Sequence, residues 1–179
     1  MTDRRELLLL YLEALLKSIA PGVVFPLPGP PHREIVSDLG ARVYTQMIPE
    51  ARFGAETFPV VEMLTSASTE DAIREAASDD MYLADLNVDL IGYVRAGDAG
   101  MGGHASARAA ANALRADLIV AVESLPYWTS AEFPEPARRR CGEITTMLKS
   151  QFTEVPTDVP TGFCTVSYAI TYAFSRTNP

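Results

Sequence analysis

The pattern that comes closest to a chemical site is a glycine-rich stretch near the middle of the chain. Residues Gly100 to Ala105, GMGGHA, fit G-x-G-x-x-G/A, between a segment that predicts a strand and one that predicts a helix. In that setting the backbone N–H groups of the turn and the helix N-terminus bind the pyrophosphate of a dinucleotide. The spacing therefore raises the hypothesis of a nucleotide site at residues 97–105.

The sequence around this glycine-rich loop lacks the other parts of such a site. The preceding segment, 81–96, alternates polar and apolar residues, whereas the first strand of a dinucleotide-binding unit is continuously apolar. About 20 residues beyond the glycines, where an acidic residue should hold the ribose, Glu123 still lies inside the predicted helix. We interpret the loop as a strand-to-helix connector, and a nucleotide site is the alternative.

The other residue types that do chemistry are scattered. His32 and His104, the only histidines, do not have metal-ligand spacing, and Cys141 and Cys164 form no C-x-x-C pair. We interpret the cysteines as thiols in a reducing compartment. Ser106 and His104 could suggest a nucleophile and its base, but residues two apart on a helix point away from each other. Ser106 is therefore predicted to cap a helix. The sequence predicts no catalytic residue, no metal site and no cofactor.

Composition and charge limit the classes of partner. The chain has 179 residues, 47% of them hydrophobic, which predicts one domain spanning 1–179. Its net charge of −8 argues against a protein that grips nucleic acid, because phosphate contacts need clustered Lys and Arg. The one basic run, Arg138-Arg139-Arg140, is interpreted as a solvated loop edge. Charged residues interrupt the N-terminal leucine run, which predicts an amphipathic helix and neither a leader nor a membrane span.

Hydrophobic periodicity predicts the fold. It indicates helices at about 2–19 and 105–125, and strands at 41–48, 58–65, 81–96, 143–152 and 162–174. The acidic residues 66–80 predict either a long hairpin loop or a short helix near 70–77. Strands that alternate with a period of two are typical of antiparallel sheets. The order α-β-β-β-α-β-β therefore predicts an α+β fold: a mostly antiparallel sheet of four to five strands, made of two hairpins, with the helices packed on one face.

Three stretches of the sequence resemble the tail terminator proteins (minor tail protein U type) of long-tailed bacteriophages. The first is the helix RRELLLLYLEALL followed by GAETFPVVEMLTSA, in which an acidic residue and Phe-Pro precede a strand. The second is YLADLNVDLIGYV with the helix RAAANALRADLIVAVESLP. The third is the hairpin of EITTMLKSQF and GFCTVSYAITYAF, whose last strand carries a Y-x-I-T-Y pattern at Tyr168–Tyr172. The resemblance covers about Arg5 to Phe174, and the chain departs from it by longer loops at 20–34 and 126–140.

The resemblance implies a structural virion protein without enzymatic activity. Such proteins form a homohexameric ring that caps the tail tube, stops its polymerisation and joins the tail to the head-completion or neck protein. The implied location is the virion tail and neck, and the host cytoplasm during assembly, without a membrane. DNA would pass through the ring as cargo, and acidic walls would suit that passage because they repel phosphate. The alternatives are another head–tail joining protein or, less favoured, a small cytosolic enzyme that binds nucleotide at residues 97–105.

For such a ring we predict partner contacts at the acidic segment 66–80, at the glycine-rich loop and at the aromatic pair that follows the second helix. The predicted interface residues are Glu70, Asp71, Arg74, Glu75, Asp79, Asp80, Gly100, Gly102, Tyr127 and Trp128. Aromatic side chains anchor many interfaces, and the alternative for this pair is that it covers the local core. The acidic segment is expected to face either the tail tube or the lumen.

Overall fold

The computed structural model describes residues 3–29, 34–48, 57–65, 74–75, 81–97, 106–156 and 160–175. The helices are α1 (Arg4–Lys17), α2 (Ala107–Ser124) and the single-turn α3 (Ala137–Arg140). The strands are β1 (Val43–Tyr44), β2 (Val60–Thr65), β3 (Arg74–Glu75), β4 (Met81–Arg95), β5 (Ile144–Glu154) and β6 (Thr161–Ser175).

The six strands of the described residues belong to one sheet, in the order β1-β2-β4-β6-β5, with β3 paired to the start of β4. Every pair is antiparallel except β1 with β2, so the sheet is mixed but mostly antiparallel. The predicted α+β fold is confirmed. Residues 74 and 75 pair with Leu83 and Tyr82, so the alternative of a helix near 70–77 is wrong at these two positions. The remainder of 66–80 lies outside the described residues.

Charged side chains stabilise both ends of helix α1. The Asp3 carboxylate accepts a hydrogen bond from the Arg5 backbone N–H, and Lys17 in the last turn forms an ion pair with Glu13 at 2.5 Å. The periodicity predicts Leu8, Leu12, Leu15, Leu16 and Ile19 on the inward face. All five are buried, and so is Tyr11, which the prediction did not include.

Helix α2 packs against the sheet with its Leu114 side chain over Gly92 of β4. A Cβ atom on Gly92 of β4 would lie 2.6 Å from Leu114 Cδ2 and 3.0 Å from Cys164 Sγ, so only glycine fits there without displacement of these side chains. At the start of α2, the Ser106 hydroxyl accepts a hydrogen bond from the Ala109 N–H at 3.1 Å. The predicted capping role of Ser106 is confirmed.

The sheet has two faces, which are best seen on its long central strands, β4 and β6. Helix α2 packs on one of them, which we call the covered face, and we call the other the open face. The side chains of the covered face are almost fully buried, as the alternation predicts. They include Leu86, Val88, Leu90 and Val94 of β4, and Cys164, Val166, Tyr168, Ile170 and Tyr172 of β6. These side chains belong to the same apolar core as the buried side chains of α1 and α2.

Strand β5 departs from the predicted alternation halfway along its length. The sequence places Ile144, Thr146, Leu148, Ser150 and Phe152 on one face, but the register shifts by one residue between Leu148 and Ser150. This β-bulge reverses the facing of the residues that follow it. Phe152 consequently lies opposite Thr165 on the open face, so the prediction is wrong for Ser150 and Phe152.

Candidate interaction surfaces

The centre of the open face is polar. Its side chains come from β4 and β6: Asp85, Asn87, Asp89, Thr165, Ser167 and Thr171. The Thr171 hydroxyl donates a hydrogen bond to Asp85 Oδ1 at 2.6 Å, and Asp89 is exposed. No set of His, Cys, Asp and Glu side chains that could hold a metal ion is found within the described ranges. The centre of the open face is therefore a polar surface that solvent reaches at Asp89.

The open face becomes apolar towards β5. Met147 lies opposite Ala169 and is 54% exposed, and Phe152 is 46% exposed with its ring edge-on to Phe163 at 6.0 Å. In the part of the chain that the structure describes, no strand pairs with the outer side of β5. An edge strand that also presents large apolar side chains is suited to contact with another chain.

An aromatic cleft of about 210 Å³ lies on the same face, at the end where β4 finishes. Phe58, Tyr93, Pro156 and Phe163 line it, and the Arg95 guanidinium lies 4.6 Å from the centre of the Phe58 ring. Aromatic rings and arginine are the side chains most often found at the energetic centre of protein interfaces. Because Phe163 lines the cleft and its ring also contacts Phe152, the cleft is continuous with the apolar part of the open face.

A buried carboxylate, Glu62, lies on the β2 side of the open face. Glu62 is 2% exposed and accepts hydrogen bonds from the Ile48 N–H at 2.6 Å and the Tyr93 hydroxyl at 3.1 Å. Ile48, Phe58 and Val60 form a second small core there. Burial, together with the charge and hydrogen bond of Glu62, raises the pKa of Tyr93 to about 12. Sequence reasoning missed Glu62, although an acidic residue inside the apolar stretch FPVVEMLT was its signal.

The basic run lies on α3, immediately before the edge strand β5. Arg138, Arg139 and Arg140 are exposed, and the Arg138 guanidinium lies 4.7 Å from the centre of the Tyr127 ring. None of the three makes an ion pair with a carboxylate of the described residues. We call these three arginines and Tyr127 the arginine patch. The residues are solvated as expected, but they form a helical turn rather than a loop edge.

The predicted aromatic pair divides between the surface and the core. Tyr127 is 36% exposed, whereas Trp128 is 6% exposed and packs against Phe133 with ring centres 6.3 Å apart. The edge of Trp128 lines an open groove of about 500 Å³ between α1 and residues 130–133. Trp128 thus covers the core of its own chain, and Tyr127 is the member of the pair that a partner can reach.

Most of the other predicted interface residues lie outside the described residues. These are Glu70, Asp71, Asp79, Asp80, Gly100 and Gly102. Arg74 and Glu75 form strand β3, for which only the backbone is described. A contact of these residues with a partner stays a prediction.

The elements on either side of the glycine-rich loop do not have the arrangement of a dinucleotide-binding turn. Strand β4 pairs antiparallel with both β2 and β6, whereas the dinucleotide turn joins a strand of a parallel sheet to its crossover helix. At the start of α2, the Ser106 hydroxyl already binds one of the helix N-terminal N–H groups. The loop therefore joins an antiparallel strand to a capped helix.

Both cysteines are buried and separate. Burial raises the pKa of the Cys141 thiol to about 11 and that of the Cys164 thiol to about 12, so neither is a thiolate nucleophile at neutral pH.

No helix of the described residues has the length and apolar character needed to span a lipid bilayer. No known protein-family model matches the chain, and no curated protein sequence is significantly similar to it.

Proposed function

We propose that this chain is the subunit of a tail terminator ring, a homohexamer that caps the tail tube, stops its polymerisation and joins the tail to the neck. It acts as a structural protein without enzymatic activity, and DNA passes through its lumen. The observation that carries the proposal is the division of the sheet. The helices bury one face, while the other face presents exposed Met147 and Phe152 beside the long edge strand β5.

The order of elements supports the proposal. The helix, the Phe-Pro strand, the long strand with its following helix and the closing hairpin all occur in the order that the resemblance requires. Tyr168 and Tyr172 of the Y-x-I-T-Y pattern are buried on the covered face. The pattern thus contributes to the packing of the core, as expected for a structural protein.

The charge also supports a ring that surrounds DNA. Each copy carries a net charge of −8, and six copies place strongly acidic protein around the passage. Like charges repel the DNA backbone and keep it from adhering to the walls as it moves. An acidic lumen therefore suits transit rather than binding.

A direct test incubates the full-length protein with purified tail tubes and with capsids, followed by negative-stain electron microscopy. We expect one ring at one end of each tube. The double variant Met147→Ser, Phe152→Ser should reduce the fraction of capped tubes at least tenfold, because it removes the exposed apolar side chains of the open face.

The matched control is Val24→Ser, which changes an apolar residue that is 89% exposed in the connector after α1. It should cap tubes as well as the unchanged protein. Rings on capsid portals but never on tubes would favour the head-completion alternative. Binding to neither structure would contradict both.

A further inference from the structure

We propose that the aromatic cleft of one copy receives Leu10 of the neighbouring copy, and that Arg95 at the wall of the cleft binds Glu6 beside that leucine. The inference rests on the proposed ring and names the contact between its subunits. Its basis is the complementarity of two surfaces on opposite sides of the fold: an apolar cleft with an arginine, and an exposed leucine with a glutamate.

The aromatic cleft has a size that suits one side chain. Its volume of about 210 Å³ is below the roughly 300–1,000 Å³ that is typical of pockets for small molecules. Phe58, Tyr93 and Phe163 give it aromatic walls, so an apolar side chain that enters the cleft is removed from water. The cleft therefore suits a single apolar side chain of a protein partner.

Arg95 gives the cleft a positive charge. Its guanidinium lies over the Phe58 ring and makes no ion pair with a carboxylate of the described residues. An arginine that stacks on an aromatic ring keeps N–H donors at its edge, and these bind carboxylates through paired, charge-assisted hydrogen bonds. The occupant is therefore expected to carry a carboxylate next to its apolar side chain.

The exposed side of α1 presents this combination. Leu10 is 43% exposed, and Glu6, one turn before it on the same side of the helix, is also exposed. Within the described ranges Glu6 has no ion pair, whereas Glu13, on the other side of Leu10, is bound to Lys17. The Cβ atoms of residues four apart on a helix are roughly 6 Å apart. An arginine at the wall of a cleft that holds Leu10 is therefore within reach of Glu6.

The two surfaces suit a head-to-tail contact. The buried leucines of α1 share the core of the covered face, whereas Tyr93 and Phe163 of the cleft lie on the open face. When copies follow one another around an axis, the helix side of one copy meets the open face of the next. Each copy then uses two different surfaces, which is the heterologous interface that closes into a ring.

The test measures the oligomeric state of the full-length chain by native mass spectrometry. We expect the unchanged protein to form a hexamer. R95E and E6R should each lower the hexamer fraction at least tenfold, because each brings like charges together at the contact. The matched controls R108E and E143R change the charge by the same amounts at exposed positions outside both surfaces, and they should still assemble.

A second variant of α1 tests the apolar half of the contact without altering the cleft or any charge. L10S should also lower the hexamer fraction, because it removes the side chain that fills the cleft. Its control, V24S, changes an apolar residue that is 89% exposed elsewhere and should assemble normally. Circular dichroism spectra of E6R and L10S should match that of the unchanged protein, since both positions are exposed.

Combining the two charge reversals gives the sharpest result. In a ring of R95E/E6R chains every contact again has opposite charges, so the hexamer should form again. Failure of that rescue would overturn the inference, as would an unaltered hexamer of E6R and L10S. Loss of assembly in R95E with an unaltered E6R would indicate contact between two open faces, and it would overturn the inference too.

The assay with tail tubes separates this inference from the proposed function. Hexamers of R95E that persist but no longer cap tubes would show that the cleft binds the tail tube protein. That result would overturn the inference and leave the proposed function intact. An unchanged protein that stays monomeric, even with tail tubes, would contradict the proposed ring itself.

Discussion

The covered and open faces of the sheet are built from alternate residues of the same strands, and they differ in almost every physical property. Leu90 on the covered face is 1% exposed, whereas the next residue back, Asp89, faces solvent. On β5, Ile144 is buried, but Met147 and Phe152 are about half exposed. A period of two thus lets one strand supply buried side chains to the core on one side and exposed side chains to the surface on the other.

The two faces should therefore respond differently to substitution. On the covered face the approach of Leu114 to Gly92 leaves no room for an added methyl group, so changes of volume alter stability. On the open face a partner, rather than the chain itself, would cover the apolar side chains. Changes there should alter assembly and leave folding nearly intact.

The largest expected effect is on the covered face. Leu114→Ala removes a fully buried side chain between α2 and the sheet and should lower the free energy of unfolding by about 2–5 kcal/mol. Met147→Ala on the open face should change it by no more than about 0.5 kcal/mol. Urea denaturation followed by circular dichroism measures both. Equal losses for the two variants would break the distinction between the faces.

A smaller effect concerns the alkaline stability of the second core, on the open side of the sheet. The pKa of Tyr93 is raised from 10.0 to about 12, which means that the fold favours the neutral phenol. The associated stability is fully present below pH 10 and is lost as the pH rises through about 12. Tyr93→Phe has no phenol to ionise. It should therefore lose less free energy of unfolding than the unchanged protein between pH 10 and 12.

Urea midpoints at pH 8, 10, 11 and 12 would measure this difference. The gap between the two proteins should be constant from pH 8 to 10 and should then narrow. Parallel curves up to pH 12 would show that the fold does not raise the pKa of the Tyr93 phenol.

The elements that sequence reasoning located best are those with uninterrupted periodicity. Strand β6, predicted at 162–174, spans Thr161–Ser175, and the helix predicted at 105–125 spans Ala107–Ser124. The alternation of β6 is regular over its whole length, and the helix is bounded by a serine cap and by Pro126. Local signals of this kind are sufficient because each element buries one continuous face.

Features that depend on contacts distant in sequence were missed. The facing of Phe152 follows from a bulge next to Lys149, and nothing in the alternating sequence of β5 marks that insertion. The burial of Glu62 depends on Ile48 and Tyr93, which arrive from other parts of the chain. The arginine patch depends on the packing of α3 beside Tyr127. Each of these features depends on three-dimensional contacts that the sequence pattern does not specify.

The proposed function is tested most directly by tail length in particles made without this chain. We predict tails of irregular, mostly excessive length that are not joined to capsids, and we predict that supplying the chain in trans restores uniform, joined tails. Electron micrographs of particles that lack the chain, yet carry tails of normal and uniform length already joined to capsids, would contradict the account.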